Sequence, residues 1–274
     1  MKIRMIAFDI DGTFLDDRKE IPPENLRELE RAAEGGVLIV PATGRIYTGL
    51  PEAVRALPFM RYFLTVNGAY VYDAVEDAIL RRSEISAELA LRLMDYADTL
   101  PVLYDCYQDN WGYMNRHMLE RVGDYMDDPG ILKLIRTLRT PVDSLPDTVR
   151  QRGRPVQKLQ LYLKDVSGKA EMMARISSLF PEVSVTSSVN RNIEINSAGA
   201  TKGQALAGLC QLLGVPLQEV MAFGDGSNDA DMLSAAGLGV AMANADRGVK
   251  DSADYVTLSN NDAGVAAAIR KFLE

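Results

Sequence analysis

Two acidic clusters are the segments of this 274-residue chain best suited to chemistry. The first is Asp9-Ile10-Asp11-Gly12-Thr13, directly after an apolar run at 3–8. Side chains two residues apart on an extended segment leave the same side, so Asp9 and Asp11 can address one site. Gly12 lets the backbone turn sharply behind them. An Asx-type turn at a strand end is the competing reading. The second cluster is Gly224-Asp225-Gly226-Ser227-Asn228-Asp229, again after an apolar run. A calcium loop of the EF-hand type needs Gly at its sixth position and Glu at its twelfth. Here these are Ala230 and Ala236, so that reading fails. In the Asp9 segment the Gly comes at the fourth position, and it fails too. A helix cap accounts for one acid of the second cluster but not for all of them.

Two further segments carry groups that suit a phosphate. Ala42-Thr43-Gly44-Arg45 follows an apolar run at 37–40 and offers a hydroxyl and backbone amides, the equipment of an anion site at a helix start. A plain helix cap explains the same residues. Thr201-Lys202-Gly203 opens a helical pattern, where the helix dipole disfavours a cation. Lys202 therefore has either another duty or a solvated side chain.

The elements that must position these groups read as alternating strands and helices. Strands are expected at 3–8, 37–40 and 62–66. A helix is expected from Pro22-Pro23 to Gly35-Gly36, with Leu26, Leu29 and Ala33 on one face. The span 47–57 looks helical except for Pro51. The 62–66 strand ends at the turn dipeptide Asn67-Gly68. The pattern returns with a helix at 201–213, strands at 220–223, 238–241 and 255–258, a helix through Met232 and a last helix after Asn261. Strands separated by helix-length segments predict parallel βαβ units, whose ligands sit at the carboxyl ends of the strands. The middle differs. Helices at 87–98 and 168–180 interleave with strands at 102–107, 111–115, 158–163 and 183–188, which suggests an α+β domain placed inside the first. The expected division is 1–82 with 190–274 as an α/β core, and 83–189 as the insertion.

Composition narrows the function. Hydrophobic residues make up 47% and charged residues 25%, an ordinary globular balance that excludes disordered and fibrous classes. The net charge of −8 disfavours nucleic acid as the main partner. Cys106 and Cys210 stand alone, so neither a disulfide framework nor a structural zinc site is expected. A single histidine, His117, excludes a His-rich metal centre within one chain. The N-terminal apolar run is cut by Asp9 and Asp11, and no run approaches about 18 apolar residues. No signal peptide, no membrane span and a cytoplasmic location are expected.

Taken together, Asp-x-Asp-Gly-Thr at 9–13, Thr-Gly-Arg at 43–45, Lys202 and Gly-Asp-Gly-x-Asn-Asp at 224–229 resemble the haloacid dehalogenase superfamily. More narrowly the chain is similar to its Cof-type phosphatases with a type IIB cap. Asn67-Gly68-Ala69, Glu194-Ile195-Asn196 and Ala253-Asp254-Tyr255-Val256-Thr257 share in the resemblance, which covers nearly the whole chain. It implies a Rossmann-like core carrying an α+β cap. It implies that Asp9 attacks phosphorus to form an aspartyl-phosphate, with Asp11 as acid and base. The latter role calls for a raised proton affinity, which neighbouring carboxylates can supply. Converging Asp9, Asp11, Asp225 and Asp229 would repel one another and an anionic substrate, and Mg²⁺ resolves that conflict. The resemblance implies carboxylate ligation by Asp9 and Asp225 and main-chain ligation by Asp11, with Asn228 and Asp229 directly bound or one layer out. Thr43 and Lys202 would hold phosphoryl oxygens. Gly12, Gly44, Arg45, Asn67 and Asn228 complete the expected phosphate site.

The implied activity is Mg²⁺-dependent hydrolysis of a small phosphorylated metabolite. Sugar phosphates come first, then pyridoxal phosphate, flavin mononucleotide and other nucleotides. The alternatives are a phosphomutase of the phosphomannomutase type and a non-catalytic sensor of a phosphorylated ligand. No membrane or nucleic-acid partner is expected, and the chain should be a monomer or small homo-oligomer. The insertion would act as a lid, with Tyr104, Tyr107, Trp111, Arg116, His117 and the nearby Arg191 as candidate specificity residues. Phe14, Ala243 and the loop Asn196-Ser197-Ala198-Gly199 depart from the family pattern and bear on substrate contacts rather than on the chemistry.

Overall fold

The computed structural model describes residues 2–273. The chain forms two compact units, Met1–Arg82 with Thr201–Glu274, and Ser83–Ala200.

The first unit is built on a five-stranded parallel sheet. Its order across the sheet is Tyr255–Val256, Leu238–Ala241, Val220–Gly224, Met5–Phe8, Leu38–Pro41. Met5–Phe8 lies between the middle strand Val220–Gly224 and Leu38–Pro41, and Phe8 pairs with Phe223 on one side and Pro41 on the other. This inner strand is apolar throughout because both its faces are covered. Ile6 and Phe8 join Phe223, Leu29 and Ile269 in one layer. Met5 and Ala7 join Ala222, Leu206 and Leu209 in the other. Leu209 is fully buried, and truncating it to Ala would cost about 2–5 kcal/mol.

The helix Pro23–Glu34 starts on proline and turns Asn25, Leu29 and Ala32 inward, leaving Leu26 and Ala33 only half-buried. The expected helix at 47–57 is broken. A 3₁₀ turn, Tyr47–Gly49, and one helical turn, Glu52–Arg55, flank Pro51, whose ring cannot sit within a helix. The expected strand at 62–66 exists as Tyr62–Thr65 but does not extend the parallel sheet. It meets that sheet through the single bridges Ile39–Met60 and Ala42–Leu64. Its own ladder is antiparallel, with Tyr70–Asp73 and then Ala78–Arg82, because the 66–68 turn sends the chain straight back.

The second unit is a six-stranded sheet in the order Val183–Thr186, Asn192–Ser197, Lys158–Leu163, Val102–Gln108, Trp111–Asn115, Arg139–Val142. All pairs are antiparallel except the last, between Trp111–Asn115 and Arg139–Val142. The sequence boundary at 189/190 is displaced to 200/201. The reason is Asn192–Ser197, which pairs on both sides within this sheet. Helices Arg116–Arg121, Pro129–Leu138 and Leu145–Arg152 add to the two expected ones.

Most of the candidate specificity residues here have structural partners. Tyr104 and Tyr107 are buried, the first donating to Asp98 at 2.9 Å and the second accepting from Arg139 at 2.7 Å. Trp111 donates to Thr140 at 2.9 Å. Arg116 pairs with Asp143 at 3.5 Å and Arg191 with Asp127 at 2.7 Å. His117 is exposed. Among the described residues, no helix is long and apolar enough to cross a membrane.

Candidate active site

The site assembles at the carboxyl ends of the two central strands of the parallel sheet. Asp9 follows Phe8, and its amide donates to the Phe223 carbonyl at 3.0 Å, which brings the two acidic loops side by side. Gly12 turns in the left-handed region at φ +84°, and a Cβ there would strike the Asp225 carboxylate. Thr13 Oγ1 donates to Asp225 Oδ1 at 2.7 Å. Asp229 Oδ2 accepts from the amides of Asp225 and Gly226 at 3.0 and 2.9 Å, so one carboxylate organises the whole 225–229 loop.

Lys202 comes to this cluster from the first turn of the helix Lys202–Leu213, which Thr201 caps through Gln204 N at 3.2 Å. Its side chain is fully buried, which removes the solvated reading. Nζ donates to Asp9 Oδ1 at 2.5 Å and to Asp229 Oδ1 at 2.6 Å. Burial disfavours the ammonium, but the Asp229 and Asp9 carboxylates more than offset this and hold Lys202 protonated. Asp9 is pushed well above the usual carboxylate range by burial. Lys202 opposes the rise, while Asp229, Asp225 and Asp11 add to it. Asp225 is raised to about 6, by burial first and Asp229 second.

Asp9, Asp225 and Asp229 each offer a carboxylate oxygen, all within 4.8 Å of one another. With Lys202 as the one ammonium bonded to them among the described residues, the group carries three negative charges against one positive once all three carboxylates are ionised. The residual −2, presented by oxygen donors alone, fits one hard dication.

Asp11 stands apart. Arg45 grips it with both arms of its fork, Nε to Oδ2 and Nη2 to Oδ1, each at 2.7 Å. Lys19 adds a contact to Oδ1 at 3.0 Å. The expectation that neighbouring carboxylates raise Asp11 is overturned. Burial does push it upward, but the Arg45 hydrogen bonds and charge, with Lys19, hold it below its ordinary value. The remaining guanidinium nitrogen of Arg45 donates to Gly49 O at 3.1 Å.

Thr43 is buried and caps no helix. Its hydroxyl accepts from Arg45 N at 3.1 Å across Gly44, and helical backbone resumes only at Tyr47. Asn67 is buried too, donates its amide to Thr43 O at 2.9 Å and accepts from Asn228 Nδ2 at 3.0 Å. It lies in a run of three left-handed residues, Val66 at φ +52°, Asn67 at +58° and Gly68 at +90°. A β-branched residue rarely holds this conformation, and such strain gathers at functional sites. A Cβ at Gly68 would meet the Thr201 carbonyl, so the strained turn presses on the start of the Lys202 helix.

The structure thus brings Asp9, Lys202, Asp225 and Asp229 into one cluster and pairs Asp11 with Arg45. It places Thr43 beside Asn67 and Asn228, joined by hydrogen bonds. Asn244 is an addition, donating to Gly12 O at 2.8 Å. Its signal in the sequence was its place just past the 238–241 strand.

The family model of the haloacid dehalogenase-like hydrolases matches residues 6–269. The chain is 30% identical over 271 residues to the 5-amino-6-(5-phospho-D-ribitylamino)uracil phosphatase YcsE of Bacillus subtilis (strain 168), covering 99% of this chain and 96% of that one. It is 29% identical over 276 residues to the pyridoxal phosphate phosphatase YbhA of Escherichia coli (strain K12), with 100% of both chains covered. A solved haloacid dehalogenase-like hydrolase from B. subtilis superimposes with a TM-score of 0.84 at 26% identity, over 99% of this chain and 100% of the other. The chain belongs to the haloacid dehalogenase-like hydrolases. Within them it is a phosphatase of the Cof type.

Proposed function

We propose that the protein is a Mg²⁺-dependent phosphomonoesterase that works through a phosphoryl group carried on Asp9. The observation that carries this reading is Lys202, buried and bonded at once to Asp9 and Asp229. Mg²⁺ would be held by Asp9, Asp225 and Asp229 with the Asp11 main chain, and when bound it offsets their remaining negative charge and that of the phosphoryl group.

Lys202 occupies Oδ1 of Asp9 and leaves the other oxygen for phosphorus. As that oxygen bonds to phosphorus, the ester P–O bond breaks and its electron pair leaves on the alcohol oxygen, which takes a proton from the protonated form of Asp11, and Arg45 with Lys19 stabilises the carboxylate that this leaves. Water then attacks the same phosphorus and gives a proton back to Asp11. The bond to Asp9 breaks and phosphate is released. The Thr43 hydroxyl and the Lys202 ammonium hold phosphoryl oxygens through both steps. The substrate is a small phosphorylated metabolite, with sugar phosphates favoured. The relatives are named for a 5-phospho-D-ribitylamino compound and for pyridoxal phosphate, both of that size class.

Phosphate release from a panel of phosphorylated metabolites, with and without Mg²⁺, tests the reading, with Asp9→Asn as control. Metal-dependent release absent from the control is expected. Wild-type turnover by Asp9→Asn would exclude Asp9 as nucleophile.

A further inference from the structure

The turn at 16–20 is built more heavily than a surface loop requires. Asp16 is buried, and its Oδ1 accepts from the amides of Arg18 and Glu20, both at 2.9 Å. Its own amide donates to Glu20 O at 2.9 Å, and Lys19 N donates to Asp16 O at 3.0 Å. A second buried side chain, Asn260, donates to Leu15 O at 3.1 Å and to Asp17 Oδ1 at 3.0 Å. Asn261 adds two more bonds to Asp17, at 2.9 and 3.1 Å.

All of this holds Lys19 in the left-handed region at φ +64°, a conformation that disfavours lysine. The result is that Lys19 Nζ reaches Asp11 Oδ1 at 3.0 Å. The Lys19 side chain is 57% exposed, and an ion pair that open adds little to stability. The strain and the buried anchors therefore need another explanation, and among the described residues the group the ammonium bonds is Asp11. Arg45, itself tied to Gly49 O at 3.1 Å, grips both oxygens of Asp11 from one direction. Lys19, from a separate element, ties Oδ1 from a second direction.

We infer that Lys19 is a positioning residue for Asp11, fixing the carboxyl in the orientation from which it passes its proton to the leaving alcohol. The inference rests on the reading of Asp11 as the acid. In that step the ester P–O bond breaks, the electron pair stays on the alcohol oxygen and the Asp11 proton follows it. Lys19 exchanges no proton. Misorientation then weighs on esters whose alcohol needs the proton, and much less on those whose leaving oxygen departs as a stable anion.

The test is kcat/KM for an alkyl ester, glycerol 2-phosphate, against an aryl ester, p-nitrophenyl phosphate, in the Mg²⁺-loaded enzyme. Lys19→Asn keeps a residue that tolerates the left-handed turn and removes the ammonium. Lys19→Arg restores a cation. We expect Lys19→Asn to lose about tenfold more on the alkyl ester than on the aryl ester, and Lys19→Arg to recover most of the difference. Equal losses on both esters, or no loss on either, would overturn the positioning role while Asp9→Asn and Asp11→Asn remain inactive on the alkyl ester. Should either of those two variants keep wild-type turnover of the alkyl ester, the acid assignment falls and the role of Lys19 with it.

Discussion

Lys202 Nζ lies 2.5 Å from Asp9 Oδ1, although 193 positions separate the two residues. The contact sits where the helix dipole opposes a cation, so local helix energetics do not place the lysine there. Charge placement does: an ammonium between Asp9 and Asp229 is, among the described residues, the one cation bonded to either carboxylate.

Replacing Lys202 by Ala should therefore act twice. The folded state keeps two buried carboxylates without their partner, a defect of about 3–5 kcal/mol. The loss of charge at the phosphoryl oxygens should lower kcat/KM by about 10²–10³-fold. Thermal melts and steady-state kinetics read the two effects separately. A Lys202→Ala enzyme of near-normal rate would exclude its phosphate role.

The acidic cluster makes metal-free stability depend on pH in an unusual sense. Asp225 titrates at about 6 in the folded chain, above its ordinary 3.8. Between those values the folded chain keeps a proton that the unfolded chain has released. By linkage, the contribution of Asp225 to stability falls as pH rises through that window and stays low above it. Asp225→Asn should therefore melt higher than wild type at about pH 7.5 without metal, and the gap should close near pH 4. Mg²⁺ binds the ionised carboxylates in competition with protons, so its stabilisation of wild type should be larger at about pH 7.5 than at about pH 5. An equal Mg²⁺ shift at both values would place the ion elsewhere.

Gly68 and Gly36 both hold positive φ, at +90° and +82°, and differ in what surrounds them. A Cβ at Gly36 meets nothing within 4 Å, whereas one at Gly68 meets the Thr201 backbone. Gly36→Ala should cost about 1 kcal/mol of backbone strain and leave the rate alone. Gly68→Ala should cost about 2 kcal/mol or more and also shift Lys202, slowing turnover by about tenfold or more. Parallel urea melts and kinetics on the two variants decide whether the 66–68 turn supports the lysine.

The acidic cluster was legible because each of its loops follows a strand end, and a parallel strand must be an apolar run. Lys202 was suspected for a cation at the wrong end of a helix. The short elements were harder to read. Tyr70–Asp73 and Ala78–Arg82 have too few residues for a period to emerge. Asn192–Ser197 does alternate, with Ile193 and Ile195 between polar residues, but alternation does not say which sheet a strand joins. Lys19 left no trace in its neighbours. Its approach to Asp11 depends on Asn260, far along the chain, and on a left-handed residue that is neither Gly nor Asn.

The order of the central strands also bears on how the protein is made. Met5–Phe8 finds one neighbour in Leu38–Pro41, which is translated shortly after it. Its other neighbour, Val220–Gly224, leaves the ribosome only after the entire Ser83–Ala200 unit has been translated. At about 5–20 residues per second the gap lasts on the order of 10–40 s. Throughout it, a wholly apolar strand of the first unit has an open edge, the form in which chains most readily pair with the wrong partner. The insertion completes a sheet of its own and does nothing to close that edge. The interval in which this chain is most exposed to aggregation is therefore set by the length of its insert, and shortening the insert should raise the yield of folded protein.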